Sequence, residues 1–415
     1  DDAMNAMEST LTSSLALPGT RARTPRSARV VLALLEKLEH GTLELRLPDG
    51  SQHRFGEAAL ADATLDVGDW SMFDSVLERG DVGFAESWIA GDWHSPDLGA
   101  LLTLLANNRE RLAQAVYGQW WGLLTARLRH WLNANTRAGS RRNIMAHYDL
   151  GNDFYRQWLD PTMSYSSALY ASDAPRPMAA AQLDKYRRIL KRLDCRPGQR
   201  VLEIGCGWGG FAETAAREAG LEVVGLTLSP AQLEFARERM RIAGLERQVT
   251  LELRDYRELA NEPFDHIVSI EMFEAVGERW WPTYFATLQR LLAPGGRAVV
   301  QSITIRDELF ARYRRGTDFV QQHVFPGGML PSPSAFRRQA ARAGLVVRDS
   351  FAFGRAYART LAEWSANFER CWPTIEAQGF DERFRRLWRF YLAYCQAGFN
   401  SGCTDVLQFE LAHAR

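Results

Sequence analysis

The sequence predicts an α/β protein: a doubly wound, mostly parallel sheet, preceded by a small α+β domain. Two observations carry this. From residue 201 onward, apolar runs of strand length alternate with stretches of helical spacing. Such alternation gives parallel strands joined by right-handed helical crossovers. The first apolar run, residues 201–204, also feeds a glycine-rich turn, Gly205-Cys206-Gly207-Trp208-Gly209, and a helical stretch follows at 211–218. Glycines without a Cβ let the backbone approach a ligand closely. The helix behind them turns free N–H groups toward it. A tight strand–helix turn with no ligand is the plainer alternative.

The spacing decides which ligand. Glu203-x-Gly205-x-Gly207-x-Gly209 differs from the G-x-G-x-x-G of dinucleotide sites. An acidic residue should then follow about twenty residues on, to take the ribose hydroxyls. That place holds Thr227, Leu228, Ser229 and Pro230 instead. Glu203 with the hydroxyls of Thr227 and Ser229 fits S-adenosylmethionine (SAM) better, and so a Rossmann-like class I SAM-dependent methyltransferase.

Composition narrows the class. With 415 residues, 46% hydrophobic, the chain can bury two cores. Its 50 basic residues balance 50 acidic ones, which argues against a nucleic-acid partner. Five cysteines, at 195, 206, 371, 395 and 403, form neither a C-x-x-C site nor a disulfide framework, which predicts a reducing cytoplasm. No His/Cys/Asp cluster has metal-ligand spacing, so no metal is expected. No apolar run approaches the roughly 20 residues of a membrane span. The chain opens on Asp1-Asp2 with no basic region before an apolar core, so no signal peptide is expected.

In chain order, residues 1–27 are polar and aperiodic and read as disordered. Residues 28–138 read as the α+β domain, with membrane or dimer contacts as its expected role. Within it, 29–39 has helical spacing. Residues 41–55 alternate around Asp49-Gly50 as a β-hairpin, and 63–67 adds a strand. Residues 71–107 read as helical with breaks at Gly80, Gly83 and Gly91. The stretch 112–132 carries Trp120, Trp121 and Trp131 with Arg127 and Arg129. It is either a core-facing helix or a membrane-surface helix. Residues 135–142 read as a linker.

The catalytic domain is then 139–415. Strands are expected at 201–204, 223–226, 249–253, 267–270 and 298–305, with helices at 211–219, 231–243 and 281–292. Residues 306–340 interrupt the sheet and read as a lid. The aromatic-rich part 353–409 reads as mostly helical. Ligands of such sheets gather past the carboxyl ends of the strands, which brings together 205–209, 227–229, 255–256, 271–274 and 301–304.

Several stretches together resemble the cyclopropane-fatty-acid synthase family of SAM-dependent methyltransferases. They are HYDLGND at 147–153, MSYSS at 163–167, the glycine loop, GLTLS at 225–229, MFEAVG at 272–277, FPGGMLP at 325–331 and FGRAY at 353–357. GFAESWIAGDW at 83–93 extends the resemblance into the first domain. It implies C-methylation of an alkene in an acyl chain, mostly on a membrane phospholipid. By position, Tyr165 and Ser166 would close over the methionine end of SAM. The loop with Gly205, Gly207 and Gly209 would approach its amino acid and ribose. Thr227 and Gln232 would flank the ribose, and Tyr256 would lie against the adenine.

Methyl transfer to an alkene leaves a carbocation, which needs a dry pocket, nearby negative charge and a base. The resemblance implies bicarbonate as that base, held by a Cys, a Glu, a His, a Tyr and a backbone group. Here Glu274 and Tyr357 keep their positions and Ile303 is the backbone group. Ser167 replaces the Cys and Gln301 the His. Neither replacement brings a cation, so bicarbonate is expected only in weakened form. Glu271 adds a carboxylate at the same strand end. It reads either as half of a paired-carboxylate site with Glu274 or as a helix cap. His323, in the lid-like stretch, reads as a packing residue or an alternative base.

The outcome forks. Proton loss from the transferred methyl closes a cyclopropane; loss from a neighbouring chain carbon leaves a methyl-branched or methylene product. The altered base site favours the second. Two rivals stand beside this reading: methylation of a small soluble amine, and an inactive lipid- or SAM-binding partner. The expected enzyme is cytoplasmic and peripheral at the membrane, with a homodimer as an open option. Arg127, Arg129, Arg137, Arg141 and Arg142 beside the three tryptophans are its expected membrane contact.

Overall fold

The computed structural model describes residues 24–116 and 150–414. The tryptophan–arginine stretch from 117 on, the linker at 135–142, and His147 to Asp149 lie outside the described residues.

The first part runs α1 (Arg26–Leu35), β1 (Leu43–Arg46), β2 (Gln52–Phe55), β3 (Ala63–Val67), α2 (Ser71–Ala90), β4 (Trp93–His94), α3 (Leu98–Asn107) and α4 (Arg109–Val116). The hairpin forms as its alternation requires. Leu43 and Leu45 are fully buried, and β1 pairs β2 from Leu43↔Phe55 to Arg46↔Gln52. Gly50 takes the left-handed conformation at φ 81°. The Asp49 carboxylate accepts hydrogen bonds from the Ser51 N–H and hydroxyl. β3 lies parallel to β1 on its other side, giving the order β2-β1-β3-β4.

The glycine breaks expected in the next stretch divide. Gly80 kinks α2, at φ 60° and ψ −133°, and Gly91 caps it at φ 93°. Gly83 breaks nothing. The kink folds the Ser75 carbonyl onto Gly83, where a Cβ would stand 1.9 Å from that oxygen. Gly83 is there because two stretches of backbone touch.

The second part runs α5 (Asn152–Trp158), α6 (Met178–Leu193), β5 (Arg200–Ile204), α7 (Gly210–Ala219), β6 (Glu222–Thr227), α8 (Pro230–Ala243), β7 (Val249–Leu253), β8 (Phe264–Ile270), α9 (Trp281–Leu291) and β9 (Leu292–Ile305). It continues with α10 (Asp307–Tyr313), α11 (Phe319–His323), α12 (Pro333–Arg342), β10 (Leu345–Ala352), α13 (Gly354–Glu376), α14 (Glu382–Asn400) and β11 (Thr404–His413). The seven strands take the order β10-β11-β9-β8-β5-β6-β7. β5 to β9 are parallel, while β11 runs antiparallel between β9 and β10. The doubly wound reading holds. β5 sits at the switch point, with β6 on one side and β8 on the other, so the crevice opens past its carboxyl end.

One expectation needs correction. β9 begins at Leu292, not after the Pro294–Gly296 turn. Its pairing with β8 absorbs the extra residues as a bulge, stepping from Phe264↔Leu292 to His266↔Arg297. The aromatic-rich part is mostly helical, as expected, and ends in a strand that was not: 404–413 is β11, paired with β9 from Thr404↔Ile305 to Leu411↔Ala298. Residues 306–340 form helices between β9 and β10, as an insertion there should.

The two parts share one core. Trp88 of α2 is fully buried. Its indole N–H donates to the Arg386 carbonyl at 2.9 Å, and the Arg386 guanidinium lies 4.1 Å from its ring. Phe84 stacks on Trp93 at 4.2 Å and meets Phe390 of α14 edge-on. The first part is thereby fastened to the helix that leads into β11, next to the edge strand of the large sheet.

Gly83→Ala is expected to destabilise the protein by about 1–3 kcal/mol, the usual cost of forcing atoms into a packed site. A drop in denaturation midpoint without a change of slope would show it. An unchanged midpoint would refute the contact.

Candidate active site

β5 is buried along its length, and its chain must leave the sheet within a few residues. Gly205, Gly207 and Gly209 do this at φ 86°, 53° and 84°. The N–H groups of Gly205 and Cys206 stay tied to the Leu226 carbonyl of β6. A Cβ on Gly205 would stand 2.9 Å from the Met272 side chain. The loop is therefore pinched between two strand ends, with α7 starting behind it.

Glu203 stands just before the loop and is 2% exposed. Burial pushes its carboxyl well above the usual carboxylate range. One of its oxygens has no hydrogen-bond partner among the described residues. A buried orphan acceptor beside a glycine cradle is what a polar cofactor such as SAM would satisfy. On the next strand, the Thr227 hydroxyl donates to Gln232 at 2.9 Å and accepts from the Ser229 N–H. Ser229 caps α8 through the Gln232 N–H. Tyr256 is buried in the turn after β7, between the paired Asp255 and Arg257. Asn152, the described end of the HYDLGND stretch, accepts from the Trp208 indole at 2.8 Å and donates to Ala231. Asn152 thereby fastens α5 to the glycine loop.

Glu203, Gly205, Gly207, Thr227, Gln232 and Tyr256 line one cavity of about 510 Å³, as do Tyr165, Ser166, Glu271, Glu274 and Tyr357, whereas Gly209 and Ser229 stand off its wall. Tyr165 shares a hydrogen bond with Tyr391 of α14 at 2.8 Å. Ser167 and Gln301 stand behind Glu271 and not on the wall. The Ser167 hydroxyl turns away to the Ala168 carbonyl.

The donors expected to hold a free anion are engaged by Glu271. One of its carboxylate oxygens accepts from the Ser167 N–H and from the Gln301 side-chain amide, both at 2.8 Å. The other accepts from the Tyr357 hydroxyl at 2.5 Å. Gln301 is held in turn by Gln408, and Gln408 by Arg188. Bicarbonate does not fit a cradle whose donors are already spent. The helix-cap reading of Glu271 fails as well, because its carboxylate reaches across to three other segments. Its backbone sits at φ 51°, a left-handed strain that bulky residues rarely bear.

Glu274 differs. It accepts from the Ile303 N–H, and its other oxygen is buried with no hydrogen-bond partner among the described residues. Burial, with Glu271 beside it, pushes Glu274 up to about 8. Burial also raises Glu271, but the Tyr357 hydroxyl, Lys185, the Ser167 N–H and Gln301 oppose it. Of the two carboxyls, Glu271 is the one built to hold a charge and Glu274 the one that keeps a proton near neutrality.

The mycolic acid cyclopropane synthetase family matches residues 135–409. The chain belongs to this family. It is a SAM-dependent methyltransferase of the cyclopropane-synthase family. It is 38% identical over 343 residues to a tuberculostearic acid methyltransferase of Mycobacterium tuberculosis, covering 81% of this chain and 80% of that one. It is 35% identical to the cyclopropane-fatty-acyl-phospholipid synthase of Escherichia coli, covering 90% and 96%. Among solved structures, a cyclopropane synthase from Mycobacterium tuberculosis superposes with TM-score 0.61 at 31% identity. That match covers 66% of this chain and 98% of that one. A mycolic acid cyclopropane synthase complexed with SAH and CTAB gives 0.61 at 32%, covering 65% and 97%.

Sequence reasoning missed Gln182 and Lys185, both 0% exposed and packed directly behind Ser166. A signal was present. Met178, Ala181, Ile189 and Leu193 mark the apolar face of α6, and Gln182 and Lys185 fall on it. His323, by contrast, faces Glu86 of α2 at 3.1 Å and not the acceptor site.

Gly205→Ala should weaken SAM binding at least ~10-fold, about 1.4 kcal/mol, since the new methyl meets Met272 from a left-handed backbone. Titration calorimetry with SAM reads this directly. Wild-type affinity would mean that the loop does not approach the cofactor.

Proposed function

We propose that this enzyme methylates the double bond of an unsaturated fatty acyl chain in a phospholipid, with Glu271 as the base, and that it leaves a branched chain, not a ring. The observation that carries this is the Glu271 carboxylate, anchored by Ser167, Gln301 and Tyr357 where a free anion would otherwise be held.

When bound, SAM supplies a methyl group made electrophilic by its sulfonium. The alkene π pair becomes the new carbon–carbon bond as the carbon–sulfur bond breaks, and the positive charge falls on the neighbouring chain carbon. Tyr165, Tyr357, Tyr391 and Phe399 give the cavity the aromatic wall that such a charge requires. The Glu271 carboxylate faces the cation and stabilises it. It then takes a proton, and the released C–H pair becomes a new double bond. A base tethered to the wall cannot follow the added methyl as a free anion could. That favours proton loss from the chain, and the similarity to a tuberculostearic acid methyltransferase supports the same outcome.

The apolar wall of the cavity and the aromatic tail argue against a small-amine acceptor, which would need a polar, open site. An inactive partner would not need Glu271 held in a strained backbone. Among the described residues no helix is long and apolar enough to cross a membrane. In this reading the acyl chain is reached from the cytoplasmic bilayer surface, and the tryptophans and arginines at Trp120, Trp121, Arg127 and Arg129 have the composition for that contact.

Incubation with unsaturated phospholipid and SAM should give a product one methylene heavier that still takes up hydrogen on mild catalytic hydrogenation. A cyclopropane would not. Glu271→Gln should lower the rate by roughly 10²–10⁴, the usual contribution of a general base. Because burial raises Glu271, the wild-type rate should climb with pH at values above the ordinary carboxylate range. A saturated cyclic product, or an active Glu271→Gln enzyme, would overturn this assignment. Flotation with anionic vesicles should succeed at low salt and weaken at high salt; no binding at low salt would remove the membrane contact.

A further inference from the structure

The most unusual buried group near the site is one the mechanism above does not use. Lys185 is fully buried. The chain has three lysines, Lys37, Lys185 and Lys191, among its 50 basic residues, so arginine is its ordinary cation. An ammonium differs from a guanidinium in being a compact point charge that fits a small buried space. At position 185 the chain departs from its own habit in the place where that difference matters most.

The contacts show what the ammonium holds. It donates to the Ser166 hydroxyl at 2.5 Å and to the Gln182 side-chain carbonyl at 2.6 Å. Gln182 in turn donates to the Ser166 carbonyl at 2.9 Å. The next residue, Tyr186, shares a hydrogen bond with Ser164 at 2.7 Å. Three positions of α6 therefore grip the loop 164–167. That loop puts Tyr165 and Ser166 on the cavity wall and delivers the Ser167 N–H to Glu271.

The charges around it are lopsided. Asp160 after α5, Glu203 at the end of β5 and Glu271 after β8 all act on the Lys185 ammonium. From its own helix, the Tyr186 ring lies 4.5 Å away. Glu271 accepts from the Tyr357 hydroxyl and feels the charges of Lys185 and Glu274. Lys185 is the cation acting on Glu271, while Arg239 also acts on Glu203.

We propose that Lys185 is a positioning residue for methyl transfer: it locks the 164–167 loop beside the cofactor and supplies the counter-charge that keeps Glu271 ionised. This rests on Glu271 acting as the base. Burial pulls Lys185 down to about 8, so the ammonium is charged at neutral pH, as the role requires.

The sign of the effect follows. An adjacent cation favours the ionised carboxylate, so its removal raises the Glu271 pKa, and the acidic limb of the pH–rate profile moves to higher pH. The test is the pH–rate profile with unsaturated phospholipid vesicles and SAM, on the wild type, Lys185→Gln, Ser166→Ala and Glu271→Gln. Lys185→Gln keeps a donor for Ser166 but loses the charge. It should shift the acidic limb up by roughly one pH unit and cut the rate near neutrality about tenfold. Ser166→Ala keeps the charge and loosens the loop. It should lower kcat several-fold with the limb where it was.

An unmoved limb in Lys185→Gln overturns the counter-charge. If that variant fails to fold, Ser166→Ala still decides: a wild-type rate there overturns the locking role. An active Glu271→Gln enzyme overturns the base assignment itself. An inactive Glu271→Gln enzyme with an unmoved Lys185→Gln limb overturns only the role of Lys185.

Discussion

A carboxylate drawn into the protein, at the wall of its main cavity, is the constraint on which this structure turns. Burying the Glu271 charge costs several kcal/mol unless it is paired and hydrogen-bonded. Its three donors, at about 1.5–3 kcal/mol each for bonds to a charged group, are of the size needed to offset that. Each comes from a different part of the fold: Ser167 from the loop before α6, Gln301 from β9 and Tyr357 from α13. The carboxylate thus joins three elements distant in sequence, at the switch point where the sheet opens. The left-handed backbone at Glu271 is tolerated because these contacts determine where the side chain must go.

The two changes that looked like losses in the sequence take a different meaning beside this carboxylate. Ser167 contributes through its backbone and not its hydroxyl, so its side chain is free to differ. Gln301 gives one neutral amide hydrogen to Glu271 while its carbonyl receives Gln408. A cationic donor there would bind a mobile anion well. A neutral amide suffices for an anion that is already covalently attached. In the proposed reading, Glu271, Ser167 and Gln301 together make up one tethered base.

The sheet was legible because its strands are short apolar runs, each closed by a turn signal, and their period does not depend on distant contacts. β11 was hidden for the opposite reason. Phe409 and Leu411 sit among aromatic helices in the sequence, and only pairing with β9 and β10 makes that stretch a strand. The Gly80 kink was legible, whereas Gly83 was misread. A glycine that admits a backbone contact looks in sequence like one that ends a helix. At the site, the glycine loop, Tyr165, Thr227, Glu274 and Tyr357 could be placed by position alone. That Glu271 would fill the anion's place could not, since nothing local shows which donors its side chain reaches.

Lys185 shows where such reading can be extended. A polar residue on the apolar face of a helix must be satisfied by something it cannot leave. On α6 two such residues lie one turn apart, and both are satisfied by Ser166. Burying an ammonium as well as a carboxylate is costly unless each offsets the other's field. Lys185 holds the loop 164–167 through the Ser166 hydroxyl, and Glu271 holds it through the Ser167 N–H. In the proposed reading, this loop is therefore held between two charges of opposite sign. Its position and the protonation state of the base are set by one electrostatic balance.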